Sequence, residues 1–135
     1  MNYIKSYNKY SKITEDLDSL THMPGGGEKK RFWDFVDKAD WKSDHDYKRI
    51  GALLKSEYEG REIDSIRNAY EYYMEELERE FGHEGGFGVG DDGWSDLRAE
   101  VIGRGQEFFE SITSEKLRDM GNSSDYKENF GYLFQ

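Results

Sequence analysis

The most regular pattern of apolar and polar residues lies between residues 61 and 81. Apolar side chains recur there at intervals of three, four, three, four and four residues. They are Ile63, Ile66, Tyr70, Tyr73, Leu77 and Phe81. Such spacing puts side chains on one face of an α-helix. The segment therefore predicts a long amphipathic helix.

The other face of this predicted helix is strongly acidic, with seven Asp and Glu residues against three Arg. A solvated helix surface explains this pattern, and so does a docking surface for another protein. Under the second interpretation, Glu71, Glu75 and Glu78 are candidate partner-binding residues.

A second long pattern begins at the acidic pair Asp91 and Asp92 and predicts the central helix of the fold. Its apolar stripe consists of Trp94, Leu97, Val101, Phe108 and Ile112. We expect Asp92 to cap this helix, since its carboxylate suits free amides at a helix N-terminus. Gly105 falls within the stripe and predicts that a neighbouring element packs very close there. A long glycine-dense loop, GHEGGFGVGDDG, leads into the helix.

Shorter patterns fill the rest of the chain. Residues 28–41 predict a helix with Trp33 on the flank of its apolar stripe, and Ser43 is the expected N-cap of the next helix. Residues 114–121 predict another short helix. The rings near the C-terminus are expected to dock on the body of the protein, because an apolar tail is unfavourable in water.

No stretch shows the period-two alternation of a β-strand. The predicted fold class is therefore all-α: a compact bundle of five to seven helices, with a long Gly-rich loop before the central helix. Pro24 and the three glycines that follow it are strong signals for a turn or loop. They divide it into residues 1–27, an N-terminal arm or short helix, and residues 28–135, a single helical domain.

The formal net charge of the 135-residue chain is -10. An acidic surface repels nucleic-acid phosphates and anionic lipid headgroups, so we expect neither direct nucleic-acid binding nor membrane binding. A basic protein partner is favoured instead. The sequence lacks a signal peptide and a long apolar run, so we expect a cytoplasmic protein. With no cysteine, disulfides and thiolate metal sites are excluded.

Few patterns in the sequence point to chemistry. Asp91 and Asp92 do not keep the ligand spacing of a calcium loop, and helix capping explains them as well. The glycines before them lack the Lys-Ser ending of a phosphate-binding loop. No His pair is spaced by four residues, and no Gly-x-Ser-x-Gly turn is present. We therefore predict no cofactor, no metal and no catalytic residue, and the sequence leans against an enzyme without deciding the question.

Arg98 lies six residues after Asp92, in the first two turns of the predicted central helix. It is either a structural tie that holds the acidic loop through Asp91 or Asp96, or a group that recognises a carboxylate on a ligand or partner. The structural interpretation is favoured.

Two motifs resemble those of a bacterial family known only as a domain of unknown function. The first is FWDFVDKA, and the second is DDGWSDLRAEVIGRGQEFFE. The matching positions in the second motif are Asp91, Asp92, Gly93, Trp94, Leu97, Arg98, Val101, Ile102, Gly105 and Phe109. The resemblance spans residues 28–112. This chain departs from it by the arm before residue 28 and by HEGGFGVG in place of a Trp-rich segment. The resemblance implies an α-helical fold and supplies no activity.

Two functional hypotheses follow. The first is an acidic interaction module, an inhibitor of the immunity-protein, antitoxin or anti-defence type, that binds a basic protein. The alternative is a small-ligand sensor or an enzyme whose cleft contains Trp33, Asp91, Asp92, Trp94 and Arg98. The tyrosines of the long helix would equally suit the interface of a homodimer.

Overall fold

The computed structural model describes residues 23–82, 87, 89–123 and 130–134 of the chain. The arm or short helix expected over residues 1–27 lies largely outside these ranges, and its last two residues, Gly26 and Gly27, belong to the first helix. Residues 83–86 and 88 of the glycine-dense loop also lie outside them, and of this loop Gly82, Phe87, Val89 and Gly90 are described before the next helix begins.

The described residues form seven α-helices, one 3₁₀ helix and no strand, which confirms the predicted all-α class. The α-helices are α1 (Gly26–Ala39), α2 (Trp41–Asp44), α3 (Tyr47–Glu57), α4 (Gly60–Phe81), α5 (Asp91–Gly103), α6 (Gln106–Ser111) and α7 (Ser114–Ser123). The 3₁₀ helix is Phe130–Phe134.

The long acidic segment forms α4, the helix against which most of the bundle packs. The Glu62 carboxylate accepts a hydrogen bond from the Glu59 backbone amide at 2.9 Å, which satisfies one amide at the start of the helix. α1, α3 and α5 all contact α4. The predicted stripe faces this core: Ile66, Tyr70, Tyr73 and Leu77 are buried.

Two of the C-terminal rings dock on the body, as predicted. Phe130 and Phe134 are both buried, and the 3₁₀ helix that carries them packs against α3 and α5. Phe134 stacks on Tyr70 with 4.7 Å between ring centroids. A membrane-spanning helix needs about 20 apolar residues, and no helix within the described ranges meets that requirement.

The continuous helix predicted from the acidic pair to Ile112 is wrong. The chain ends α5 at Gly103 and begins α6 at Gln106. Gly105 between them has φ +111°, a backbone conformation that interrupts a right-handed helix and that residues other than glycine rarely adopt.

The close packing expected at Gly105 occurs at Gly103 instead. A Cβ atom added at Gly105 would meet nothing within 4 Å, whereas one at Gly103 would lie 2.7 Å from Trp41 Cδ1. The prediction of close packing at Gly105 is therefore wrong, and the close approach lies at a glycine outside the predicted stripe.

Both predicted N-caps are also wrong. Gly90 is the N-cap of α5, so Asp91 and Asp92 are the first two helical residues rather than residues preceding the helix. Asp46, not Ser43, caps α3, where its carboxylate accepts hydrogen bonds from the amides of Lys48 and Arg49. Helix α5 begins one residue before the polar residue chosen from the sequence, and α3 begins four residues after the one chosen for it.

Candidate functional site

Trp33, a candidate ligand-binding residue, lies in the core. Only 4% of its surface is exposed. Its indole contacts the rings of Phe32, Tyr73 and Phe109 at centroid distances of 4.9, 4.9 and 5.4 Å. This side chain therefore joins α1, α4 and α6 and does not line an open surface.

Trp94 and Arg98 connect α5 to the end of α4. Trp94 is 1% exposed, and its indole N–H donates to the Gly82 carbonyl at 2.9 Å. Arg98 Nη1 donates to the Met74 carbonyl at 3.0 Å, and its guanidinium lies over the Trp94 ring. Burial lowers the pKa of Arg98, while the nearby Glu78 carboxylate raises it. The Met74 contact gives Arg98 a structural role that ties α5 to α4. The tie to the acidic loop through Asp91 or Asp96 that the sequence suggested stays a prediction.

The acidic candidates lie in two places. Asp91 and Asp92 open α5, and their side chains lie outside what the structure describes. On α4, Glu71 is exposed, and Glu75 and Glu78 are half-buried. The α4 candidates therefore belong to the outer surface of the bundle, although Glu78 also faces Arg98.

A buried carboxylate that sequence reasoning missed joins α2 to α5. Glu100 is 1% exposed. It accepts hydrogen bonds from Trp41 Nε1 and Arg104 Nε, each at 2.9 Å. His45 Nε2 lies 3.4 Å from its second oxygen.

A carboxylate at this depth is stable only when it is paired and hydrogen-bonded. The helical spacing of four between Glu100 and Arg104 was visible in the sequence. Trp41 and His45 lie more than 50 residues away along the chain, and no sequence pattern linked them to Glu100. Because both carboxylate oxygens are engaged, we interpret the cluster as structural.

A cleft of about 420 Å³ lies between α1, α4 and α6, and we call it the aromatic cleft. Aromatic rings, carboxylates, cations and one amide line it: Tyr72, Tyr73, Phe109, Glu76, Glu80, Glu110, Lys29, Arg79 and Gln106. Trp33 lies behind it, against Tyr73 and Phe109. None of the sequence candidates whose side chains the structure describes lines this cleft.

The rings of the aromatic cleft hold one another at fixed angles. The centroid of Tyr73 lies 5.3 Å from that of Tyr72 and 5.0 Å from that of Phe109, in edge-to-face arrangements. Burial raises the pKa of both phenols, and the carboxylate of Glu76 raises each of them further. Both hydroxyls are neutral at physiological pH, and that of Tyr72 donates its proton to Glu76.

The carboxylates at the rim of the cleft differ in their partners. Glu76 accepts a hydrogen bond from the Tyr72 hydroxyl at 3.1 Å and forms an ion pair with Arg79. Glu110 accepts one from the Gln106 amide at 3.1 Å. Glu80 is exposed, and no hydrogen bond or ion pair joins it to another described residue. Glu80 and Glu110 thus retain acceptor capacity toward a ligand.

Within the described ranges, no three His, Asp or Glu side chains are arranged to hold a metal ion together. No protein-family model, curated protein or solved structure matches this chain. The family resemblance drawn from the sequence stays a prediction.

Proposed function

We propose that this chain is an acidic helical interaction module that binds a basic protein, as an inhibitor of the immunity-protein, antitoxin or anti-defence type. The observation that carries the proposal is the outer surface of α4. Seven acidic residues and three arginines are spread along its 22 residues, in a chain whose formal net charge is -10.

A surface of this kind favours a partner of opposite charge. Complementary potentials accelerate the encounter of two proteins and disfavour partners of like charge, and both effects weaken as salt screens the charges. Glu71, Glu75 and Glu78 are the residues through which we expect this attraction to act. The burial of Trp33 and Trp94 supports this function over the sensor or enzyme, which requires both side chains to reach a ligand.

The test is identification of the partner, followed by reconstitution. The purified chain is used to capture proteins from a lysate of its source organism at low salt, and the captured chains are identified by mass spectrometry. The best candidate is then purified, and its affinity for this chain is measured at two salt concentrations. We expect a basic protein whose binding weakens as salt rises.

Two matched double variants test whether the acidic surface of α4 is the surface that binds the partner. Glu71→Gln with Glu75→Gln removes two charges from α4, and Glu115→Gln with Asp119→Asn removes two from α7, where both side chains are exposed. Only the α4 pair is expected to slow association and flatten the salt dependence. A partner of acidic or neutral character, or equal effects of the two pairs, contradicts the proposal.

A further inference from the structure

The aromatic cleft has the size of a binding site for one long side chain. Its volume of about 420 Å³ lies within the range of about 300–1,000 Å³ that is usual for ligand pockets. It opens on α4, the helix whose acidic surface carries the proposed function.

The floor of the cleft suits a cation. The rings of Tyr72, Tyr73 and Phe109 line it, and the faces of aromatic rings attract positive charge. The edge-to-face contacts of Tyr73 with the other two rings fix this floor before any ligand arrives, so little ordering is required on binding.

The rim supplies the counter-charge. Glu76 is neutralised by Arg79, with which it forms an ion pair, so this pair contributes little net charge. Glu80 has no described partner, and Glu110 accepts a hydrogen bond only from a neutral amide among the bonds described. Lys29 is the opposing charge on the rim. Two carboxylates against one ammonium leave the rim negative.

We propose that the aromatic cleft receives an arginine side chain of the basic protein partner; this inference rests on the proposed function. A guanidinium fits better than an ammonium, because it is planar, stacks on aromatic faces and presents several N–H donors to carboxylates at once. Its alkyl stem would cover the part of the floor that the carboxylates do not reach.

The inference is tested with a free arginine compound and the full-length chain. Nα-acetyl-arginine methylamide is titrated into the protein while NMR follows the ring resonances of Tyr72 and Phe109. The citrulline counterpart is the control, since it replaces the guanidinium by a neutral urea group of the same shape. We expect saturable shifts with the arginine compound and none with the citrulline compound at equal concentration.

Three variants then test whether negative charge at the rim of the cleft strengthens binding of the arginine compound and positive charge weakens it. Glu80→Gln is expected to weaken binding of the arginine compound by about two- to fivefold, the effect of one exposed ion pair. Lys29→Gln is expected to strengthen it by a similar factor. Glu115→Gln removes an exposed carboxylate from α7, outside the cleft, and should change little. Equal shifts with citrulline, or weaker binding after Lys29→Gln, overturns the inference.

Measurements on the reconstituted complex separate this inference from the proposed function. If a basic partner binds with the expected salt dependence and Glu80→Gln affects it no more than Glu115→Gln does, the proposed function stands and the cleft inference fails. If the arginine compound binds but no basic protein is found, the proposed function fails. The cleft is then a small-molecule site, which also contradicts the occupant proposed here.

Discussion

Gly103 lies directly against the indole of Trp41. A Cβ atom at Gly103 would come within 2.7 Å of Trp41 Cδ1 and 3.2 Å of Phe130 Cγ. Trp41 and Phe130 are both fully buried, and their ring centroids are 5.4 Å apart. The last residue of α5, the helix α2 and the 3₁₀ helix therefore meet at one glycine, where any side chain must displace an aromatic ring.

We predict that Gly103→Ala destabilises the protein by about 2–3 kcal/mol, because overpacking a rigid core forces rings out of their preferred positions. Urea unfolding followed by far-UV circular dichroism measures the change. Gly60→Ala is the matched control, since a Cβ atom at that first residue of α4 would meet nothing within 4 Å. It should stay within about 0.5 kcal/mol of the wild type. Equal losses in the two variants would contradict the close approach at Gly103.

Gly105→Ala tests the break between α5 and α6. There is open space for a Cβ atom at Gly105, so the cost arises only from its backbone, which has φ +111°. We expect a loss of about 1–2 kcal/mol in the free energy of unfolding. Gly105→Asn should lose about as much, because φ +111° with ψ 167° lies in a region essentially restricted to glycine, outside the left-handed region that Asn tolerates. A gain in stability with Ala would mean that α5 and α6 form one helix in solution.

The sequence predicted the helices through their periodicity, which is a local property. The apolar stripe of α4 is continuous in the sequence and buried in the fold. Periodicity does not detect a break between two helices, however, because Phe108 and Ile112 keep the spacing of the earlier stripe on the far side of Gly105. The α5–α6 break was therefore missed, although the glycine that causes it was noticed.

The candidate site was harder to predict than the fold, because it depends on which distant residues meet. Trp33 stood out as an aromatic residue on the flank of a stripe, and the fold covers it with Tyr73 and Phe109. The aromatic cleft brings together residues from α1, α4 and α6 that share no sequence motif. The local sign of the cleft in the sequence is the pair Tyr72 and Tyr73, with Glu76 three residues further on. In the sequence these residues are only part of an acidic helix that carries tyrosines.

Glu100 provides a test of the buried polar cluster. Glu100→Ala removes the acceptor of Trp41 Nε1 and Arg104 Nε, and leaves the arginine charge in a largely buried position without its carboxylate. We expect a loss of about 3–5 kcal/mol in the free energy of unfolding, the usual cost of breaking a buried ion pair. Glu100→Gln, which keeps one acceptor oxygen, should lose less. Glu115→Ala, at an exposed position of α7, is the control, and a loss there as large as in Glu100→Ala would contradict the structural role.

The buried Tyr70 predicts that the stability of the protein falls at alkaline pH. Burial raises the pKa of Tyr70 above its ordinary value of 10.0, with Asp96 and Glu71 adding to the effect and Arg98 opposing it. The folded state therefore retains the phenolic proton at pH values where the unfolded chain has lost it. By linkage, this contribution to stability is fully present below about pH 10 and is lost as pH rises beyond it.

We expect the free energy of unfolding to fall above pH 10 and Tyr70→Phe to make that fall shallower, by at most about 1.4 kcal/mol per pH unit. Urea unfolding at a series of pH values measures the slope, and absorbance at 295 nm reports phenolate formation in the same samples. Tyr47→Phe removes a hydroxyl from an exposed ring and is the matched control. If Tyr70→Phe leaves the slope unchanged, or alters it no more than Tyr47→Phe does, ionisation of Tyr70 is not linked to unfolding. The stack of Tyr70 on Phe134 would then have to admit water in the native state.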